Sequence, residues 1–196
     1  MFVVNSIFTA QNEIKKSKFI AYLCNFDEFE NLKQNLAKEH KKATHIVWAY
    51  RKFGKFNQIC ENSSDDGEPK NSAGSPILDV LRGNELVNSA ILVIRYFGGI
   101  KLGVGGLVRA YSGAANLVIK AAVLDKFEFK IHCEVFVPFA LIARFKHYFE
   151  QNDILANKDF LELGCKFGLN LTQNQKDKFD EFCIKFSQNG IKFNNN

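Results

Sequence analysis

Three carboxylates crowd into four residues at Asp65-Asp66-Gly67-Glu68. Carboxylate oxygens at that density could hold a divalent cation such as Mg²⁺, with Asp65 and Asp66 as its ligands. The spacing is too tight for an EF-hand, and Asp-Gly is also a strong turn signal, so a solvated turn is the plainer reading. A third reading has the loop fold back and pair with Arg95, Lys101 or Arg109. Those cations flank the second chemical feature. The stretch Gly98 to Gly106 packs five glycines into nine residues. A glycine-rich turn between a strand and a helix can bring backbone N–H groups against an anion, with the helix N-terminus behind them. Gly98, Gly99, Gly103, Gly105 and Gly106 would form the cradle. Arg95, Lys101 and Arg109, with Lys70 from the acidic loop, would supply the charge. The run lacks the Lys-Ser/Thr pair of a P-loop, and Val108 stands where a dinucleotide fingerprint needs its third glycine. A tight turn that needs glycine only for its backbone stays open beside the anion site.

No other residues reach a catalytic signature. There is no G-x-S-x-G, and His40, His45, His132 and His147 share no metal-binding spacing. His45 opens an apolar strand and reads as a satisfied core or edge histidine. The five cysteines (Cys24, Cys60, Cys133, Cys165 and Cys183) lie 36, 73, 32 and 18 residues apart, without a zinc motif. Each sits in an apolar run, which predicts buried free thiols. Trp48, Tyr50 and Phe53 interleave with Arg51, Lys52 and Lys55. That mixture can stack bases and neutralise phosphate, or it can be a core strand with a basic hairpin tip. No catalytic residue is named, and a binding protein is favoured over an enzyme.

The elements that would position these residues follow from periodicity. Lys18–Cys24, His45–Arg51 and Phe56–Glu61 read as strands, the last two joined by a hairpin at Gly54. Asp27, with Glu30 three residues on, predicts a capped helix. Ser75-Pro76 predicts another, Ser75 as cap and Pro76 as its first residue. Ala90–Phe97 is an unbroken apolar run and reads as a central strand buried on both faces. A helix follows the glycine run to about Ala122, with Leu107, Ala110, Tyr111, Ala114 and Val118 on its packing face. Beyond residue 124 the order is β-α-β-β-α. Alternation predicts a strand over Phe129–Val137 and an eleven-residue strand over Leu161–Leu171, with a short strand at Ile154-Leu155. Thr172 and Gln175 form a capping box for a last helix.

Of the 196 residues, 46% are hydrophobic and 24% charged, which excludes a disordered chain. No window approaches 18 uncharged apolar residues, so no membrane partner is expected. No signal peptide is recognisable, so the expected compartment is the cytoplasm. The net charge of +5 is uneven. Residues 1–124 carry 16 Lys+Arg against 11 Asp+Glu, whereas residues 125–196 carry 10 of each. Ten of the 13 glycines also lie before residue 125. Two domains, 1–124 and 125–196, are therefore expected.

Two long segments go beyond generic motifs. One runs from Asp65 through Pro76 (DDGEPKNSAGSP), the other from Arg95 through Tyr111 (RYFGGIKLGVGGLVRAY). Together with Lys15–Ala21 and Ala43–Arg51, they resemble the YigZ/IMPACT family, in its bacterial two-domain form. One departure is Asn71-Ser72, where Gly-Thr is common; Ser72 keeps the hydroxyl. The resemblance implies an α+β protein: an N-terminal ribosomal protein S5 domain 2-like domain followed by a ferredoxin-like domain. It also implies likeness to the last two domains of a ribosome-entering elongation factor, and so a regulator of translation. RNA or the ribosome is the expected partner, with nothing that implies DNA specificity. Eukaryotic relatives bind a protein co-activator, which keeps a protein-binding adaptor open. A Mg²⁺-dependent enzyme or binder of a phosphorylated or nucleotide ligand is the other alternative; otherwise no cofactor is expected.

Overall fold

The structure, a computed structural model, describes residues 1–194. The chain forms two compact units, Met1–Phe127 and the residues from Glu128 onward. The first contains β1 (Phe2–Val3), β2 (Phe8–Ile14), β3 (Ser17–Asn25), α1 (Phe29–Glu39), β4 (His45–Phe53), β5 (Ile59–Ser64), α2 (Gly74–Gly83), β6 (Ser89–Tyr96), α3 (Val104–Ala121) and β7 (Asp125–Lys126). Its main sheet has the order β2-β3-β6-β4-β5, every neighbour antiparallel. β7 pairs with β1, so the chain leaves this unit after Phe127.

Side-chain alternation along the strands builds a layer on each face. Phe19, Ala21 and Leu23 of β3, Val47 and Ala49 of β4, and Ile91 and Val93 of β6 pack beneath α2 and α3. The alternate residues Cys24, Ala90, Leu92 and Ile94 pack with Phe29 and Leu36 of α1 on the other face. This covering of both faces is why β6 reads as one continuous apolar run.

Several local expectations need correction. Asp27 is not a cap: the Asn25 side chain accepts from the Asp27 N–H and opens a 3-10 turn, Phe26–Glu28, before α1. Ser75 does not cap α2, which begins at Gly74 with Pro76 inside its first turn. Proline is tolerated there because first-turn N–H groups have no intrahelical acceptor. β5 starts at Ile59 rather than Phe56, because the hairpin turn extends through Asn57, a residue at φ +59°.

The second unit contains β8 (Ile131–Pro138), α4 (Ile142–Gln151), β9 (Ala156–Leu161), β10 (Gly164–Leu171), α5 (Gln173–Ile184) and β11 (Lys192–Asn194). Its antiparallel sheet has the order β11-β8-β10-β9. Cys133, Val135, Val137, Cys165, Phe167 and Leu169 form one wall of its core, closed by Phe145 and Phe149 from α4 and Phe179 from α5. The Thr172–Gln175 capping box is present. The eleven-residue strand is not: Leu161 ends β9, and a two-residue turn at Glu162-Leu163 leads into β10. A two-residue insertion leaves the period of two unbroken, so a hairpin imitates one long strand. Exposure separates them, with Leu163 77% exposed and Phe167 and Leu169 fully buried. β11 went unanticipated. Among the described residues, no helix is long and apolar enough to cross a membrane.

Candidate functional site

β6 ends by delivering Arg95 to the edge of the core, where only 5% of its surface is exposed. Its Nη1 donates to Glu68 Oε1 at 2.5 Å, and the hydroxyl of Tyr111, from α3, donates to the same oxygen at 2.7 Å. The Arg95 guanidinium also lies 5.7 Å from the Phe19 ring and 5.6 Å from the Phe97 ring. Burial first, and then Glu68, push the Tyr111 phenol far above its ordinary range, so it remains a donor. His45 comes from the start of β4. Its Nδ1 lies 2.6 Å from the carbonyl oxygen of Asp66, and its Nε2 lies 4.0 Å from Glu68 Oε1. A carbonyl only accepts, so Nδ1 carries the proton.

The acidic loop is held by its own carboxylates. Asp65 Oδ1 accepts from the N–H groups of Ala73 (3.0 Å) and Gly74 (2.8 Å), and Oδ2 accepts from Asn71 (2.8 Å). It therefore caps α2 from eight to nine residues upstream. Asp66 Oδ2 accepts from the Ile46 N–H at 2.7 Å and ties the loop to β4. Among the described residues, no group of three His, Cys, Asp or Glu side chains could hold a metal ion. The loop is a poor fit to Mg²⁺, because its two aspartates already serve backbone donors.

The glycine run turns tightly between β6 and α3. A Cβ on Gly98 would lie 2.0 Å from the Lys16 carbonyl carbon, so only glycine fits there. The Gly98 N–H donates to Ser17 Oγ at 3.1 Å. Gly103, at φ +70°, is the N-cap of α3 and offers no side chain to it. The first intrahelical bond is Leu107 N–H to the Gly103 carbonyl, which leaves the N–H groups of Val104, Gly105 and Gly106 without intrahelical acceptors.

A cavity of about 430 Å³ opens beside this turn. Glu68 and Arg95 contribute its buried part, His45 a partly buried edge, and Pro69, Leu102 and Leu107 its apolar walls. The exposed residues Phe97, Lys101 and Val104 stand at its mouth. Of the anticipated site residues, Glu68, Arg95, Lys101 and Gly103 line this cavity. Arg109 is exposed one turn into α3, with Nη1 close to Gly105. Lys70, Gly98, Gly99, Gly105 and Gly106 do not line the cavity. Arg95 is not a free basic contact, since its charge is buried and paired with Glu68. Thr44, His45, Phe97 and Tyr111 were not anticipated at the site. Trp48 and Tyr50 stack on each other and meet the Phe29 ring at a steep angle in the α1 layer, away from the cavity.

The Impact N-terminal domain family matches residues 15–119. An IMPACT family member of Haemophilus influenzae is 38% identical over 139 residues, covering 67% of this chain and 68% of that protein. An IMPACT family member of Thermus thermophilus, described as lying in the pol 5′ region, is 37% identical over 163 residues, covering 81% of this chain and 86% of that one. A crystal structure described as that of a hypothetical protein is 26% identical, with a TM-score of 0.71, and covers 98% of this chain and 95% of its own. The mixed α/β, two-unit architecture is thus shared along nearly the whole chain.

Proposed function

The chain belongs to the IMPACT family, and from that premise we propose that it is a non-enzymatic regulator linked to translation, binding structured RNA or the ribosome through its basic N-terminal unit. The observation that carries this reading is the exposed pair Lys101 and Arg109 beside the uncapped N-terminus of an 18-residue helix. Helix N-terminal N–H groups and nearby cations favour phosphate. The excess of five positive charges within residues 1–124 adds long-range attraction.

The finer fold reading assigns residues 1–124 to an S5 domain 2-like domain and residues 125–196 to a ferredoxin-like domain. The β-α-β-β-α-β order and the strand order β11-β8-β10-β9 support the second assignment. Two such domains in series resemble the end of a ribosome-entering elongation factor, which ties the reading to the ribosome and to the cytoplasm. A Mg²⁺-dependent enzyme has less support, because the Asp65 and Asp66 carboxylates are spent on backbone donors.

Filter binding of the full chain to ribosomes and to a structured RNA, across a salt series, tests the reading. Affinity should fall steeply with salt. Replacing Lys101 and Arg109 together by alanine should weaken binding and flatten the logarithmic salt slope by about two, roughly one per lost phosphate contact. Binding no tighter than that of a charge-matched control protein, or binding indifferent to salt, refutes it.

A further inference from the structure

Exposed apolar surface gathers at one edge of the cavity. In the segment that joins β6 to α3, Phe97 is 49% exposed, Ile100 45% and Val104, the first residue of α3, 58%. Phe97 and Val104 line the mouth, and Pro69, Leu102 and Leu107 continue the apolar surface inward. Exposed apolar side chains grouped around a concave site and flanked by charge mark a docking surface. Two of the three exposed residues are aliphatic. An unpaired base is held by stacking on aromatic rings or guanidinium planes, which Ile100 and Val104 do not offer. An apolar side chain is the better match to them.

The charge of the lining is unbalanced. Arg95 is paired with Glu68, which leaves Lys101 as the uncompensated cation of the cavity. Arg95 also keeps one open donor. Its Nη1 is spent on Glu68 and its Nε is sealed from solvent, but Nη2 makes no hydrogen bond within the chain and is not sealed. Gly103 and Val104 both line the cavity and begin α3, so the unpaired N–H groups of the first turn adjoin the apolar wall. An occupant that fits must therefore join one negative charge directly to an apolar group. The last residue of a polypeptide does so, because its α-carboxylate and its side chain leave the same Cα with no spacer. Backbone N–H groups are a recurrent means of capturing such a carboxylate. An internal residue would present only a neutral amide there.

We propose that this cavity captures the free C-terminus of a partner polypeptide whose last side chain is apolar. The carboxylate lies among Lys101, the first N–H groups of α3 and Arg95 Nη2. The side chain packs against Pro69, Leu102 and Leu107, and Phe97 and Val104 close over it. A cavity of about 430 Å³ accommodates a leucine or phenylalanine side chain with its carboxylate. The inference goes beyond the RNA reading and stands without it, although the two ligands share Lys101.

Isothermal titration of the full chain with acetylated Gly-Ser hexapeptides tests the site. The peptides end in leucine, phenylalanine or glycine, each as the free acid and as the C-terminal amide. The leucine or the phenylalanine acid should bind about tenfold or more tightly than its amide, the worth of a hydrogen bond to a charged group. It should exceed the glycine acid by about tenfold or more, from burial of the side chain. Lys101→Gln should narrow the gap between acid and amide. Val104→Glu sets a like charge beside the carboxylate and should weaken the acid about tenfold. Its melting temperature should stay in place, because Val104 is exposed and an acidic residue suits the first turn of a helix. Equal binding of acid and amide, equal binding of the apolar and glycine peptides, binding of none of them, or acid binding undiminished in both variants overturns the proposal. Salt-dependent RNA binding without peptide binding overturns this inference alone. Peptide binding without salt-dependent RNA binding overturns the RNA reading alone.

Discussion

Asp65 gives the most direct test of how the acidic loop is built. Replacing it with alanine removes the acceptor for three backbone N–H groups. Asn71 is exposed, so water takes over its donor at little cost. Ala73 is fully buried and Gly74 is buried, so their donors are left with nothing. An unsatisfied buried donor costs about 1–3 kcal/mol, and loss of an ordinary N-cap costs about 0.5–2 kcal/mol. These describe overlapping losses, and a water entering the vacated space recovers part of them, so the net destabilisation should be about 2–4 kcal/mol. For a unit of this size each kcal/mol lowers the melting temperature by about 3 °C, which predicts a fall of about 6–12 °C. Asp65→Asn keeps one acceptor oxygen but turns an amide donor toward another N–H, and should fall between the two. Thermal and urea melts followed by circular dichroism measure both variants. An alanine variant that melts within about 2 °C of the parent would refute the capping account. Stabilisation of the parent by Mg²⁺, lost in the variant, would replace it with an ion-holding one.

Two further outcomes follow from other side chains. Glu61 accepts from Arg51 at 2.7 Å and from Arg82 at 3.0 and 2.5 Å, and Arg82 above all holds its carboxyl below the ordinary range. A depressed carboxyl contributes stability above its unfolded pKa of about 4.3 and loses it as pH falls through the lower folded value. Glu61→Gln should therefore cost about 1–2 kcal/mol at neutral pH, with the gap to the parent closing below about pH 4; urea melts with a pH-independent gap would contradict this. Burial pushes the thiols of Cys24 and Cys183 up to about 12, and Cys133 and Cys165 are also buried, whereas Cys60 is partly exposed. Ellman titration of the native protein should thus modify Cys60 alone, the other four reacting only on unfolding; fast reaction of two or more thiols would be inconsistent with the packing.

Readability from sequence tracked how locally each feature is determined. β6 was legible because both of its faces are covered, which demands an unbroken apolar run. The Thr172–Gln175 box was legible because cap and acceptor lie within one turn. Asp27 and Ser75 misled for the opposite reason: each has the chemistry of a cap, but Asn25 and the distant Asp65 take the work. Leu161 to Leu171 misled because a two-residue turn preserves alternation. At the site, the residue types in the two long segments stood out, but not their partners. Arg95 and Glu68 lie 27 residues apart, and their contact depends on the register that sets β4 beside β6. His45 and Tyr111 were legible only as packing residues. Each does pack, and each also presents one polar atom to a carboxylate that spacing alone could not bring near.

The charge of the first unit then divides by geometry. Arg51 and Arg82 are committed to Glu61, and Arg95 to Glu68. The positive excess of that unit is left to its lysines and Arg109. A lysine ammonium is a compact point charge on a flexible stem, so it attracts phosphate without fixing orientation. Phosphate contacts of that kind set affinity and its salt dependence, but they read no base. Any selectivity in this unit must come from polar atoms held in fixed directions, and the cavity's Glu68, Arg95 and His45 are held that way by one another and by Asp66. Removing surface lysines should therefore move affinity and salt slope together across all ligands. Glu68→Gln leaves the buried Arg95 guanidinium without its anionic partner and should lower the melting temperature while leaving the slope in place. The two kinds of variant separate long-range attraction from the buried framework of the cavity within a single domain.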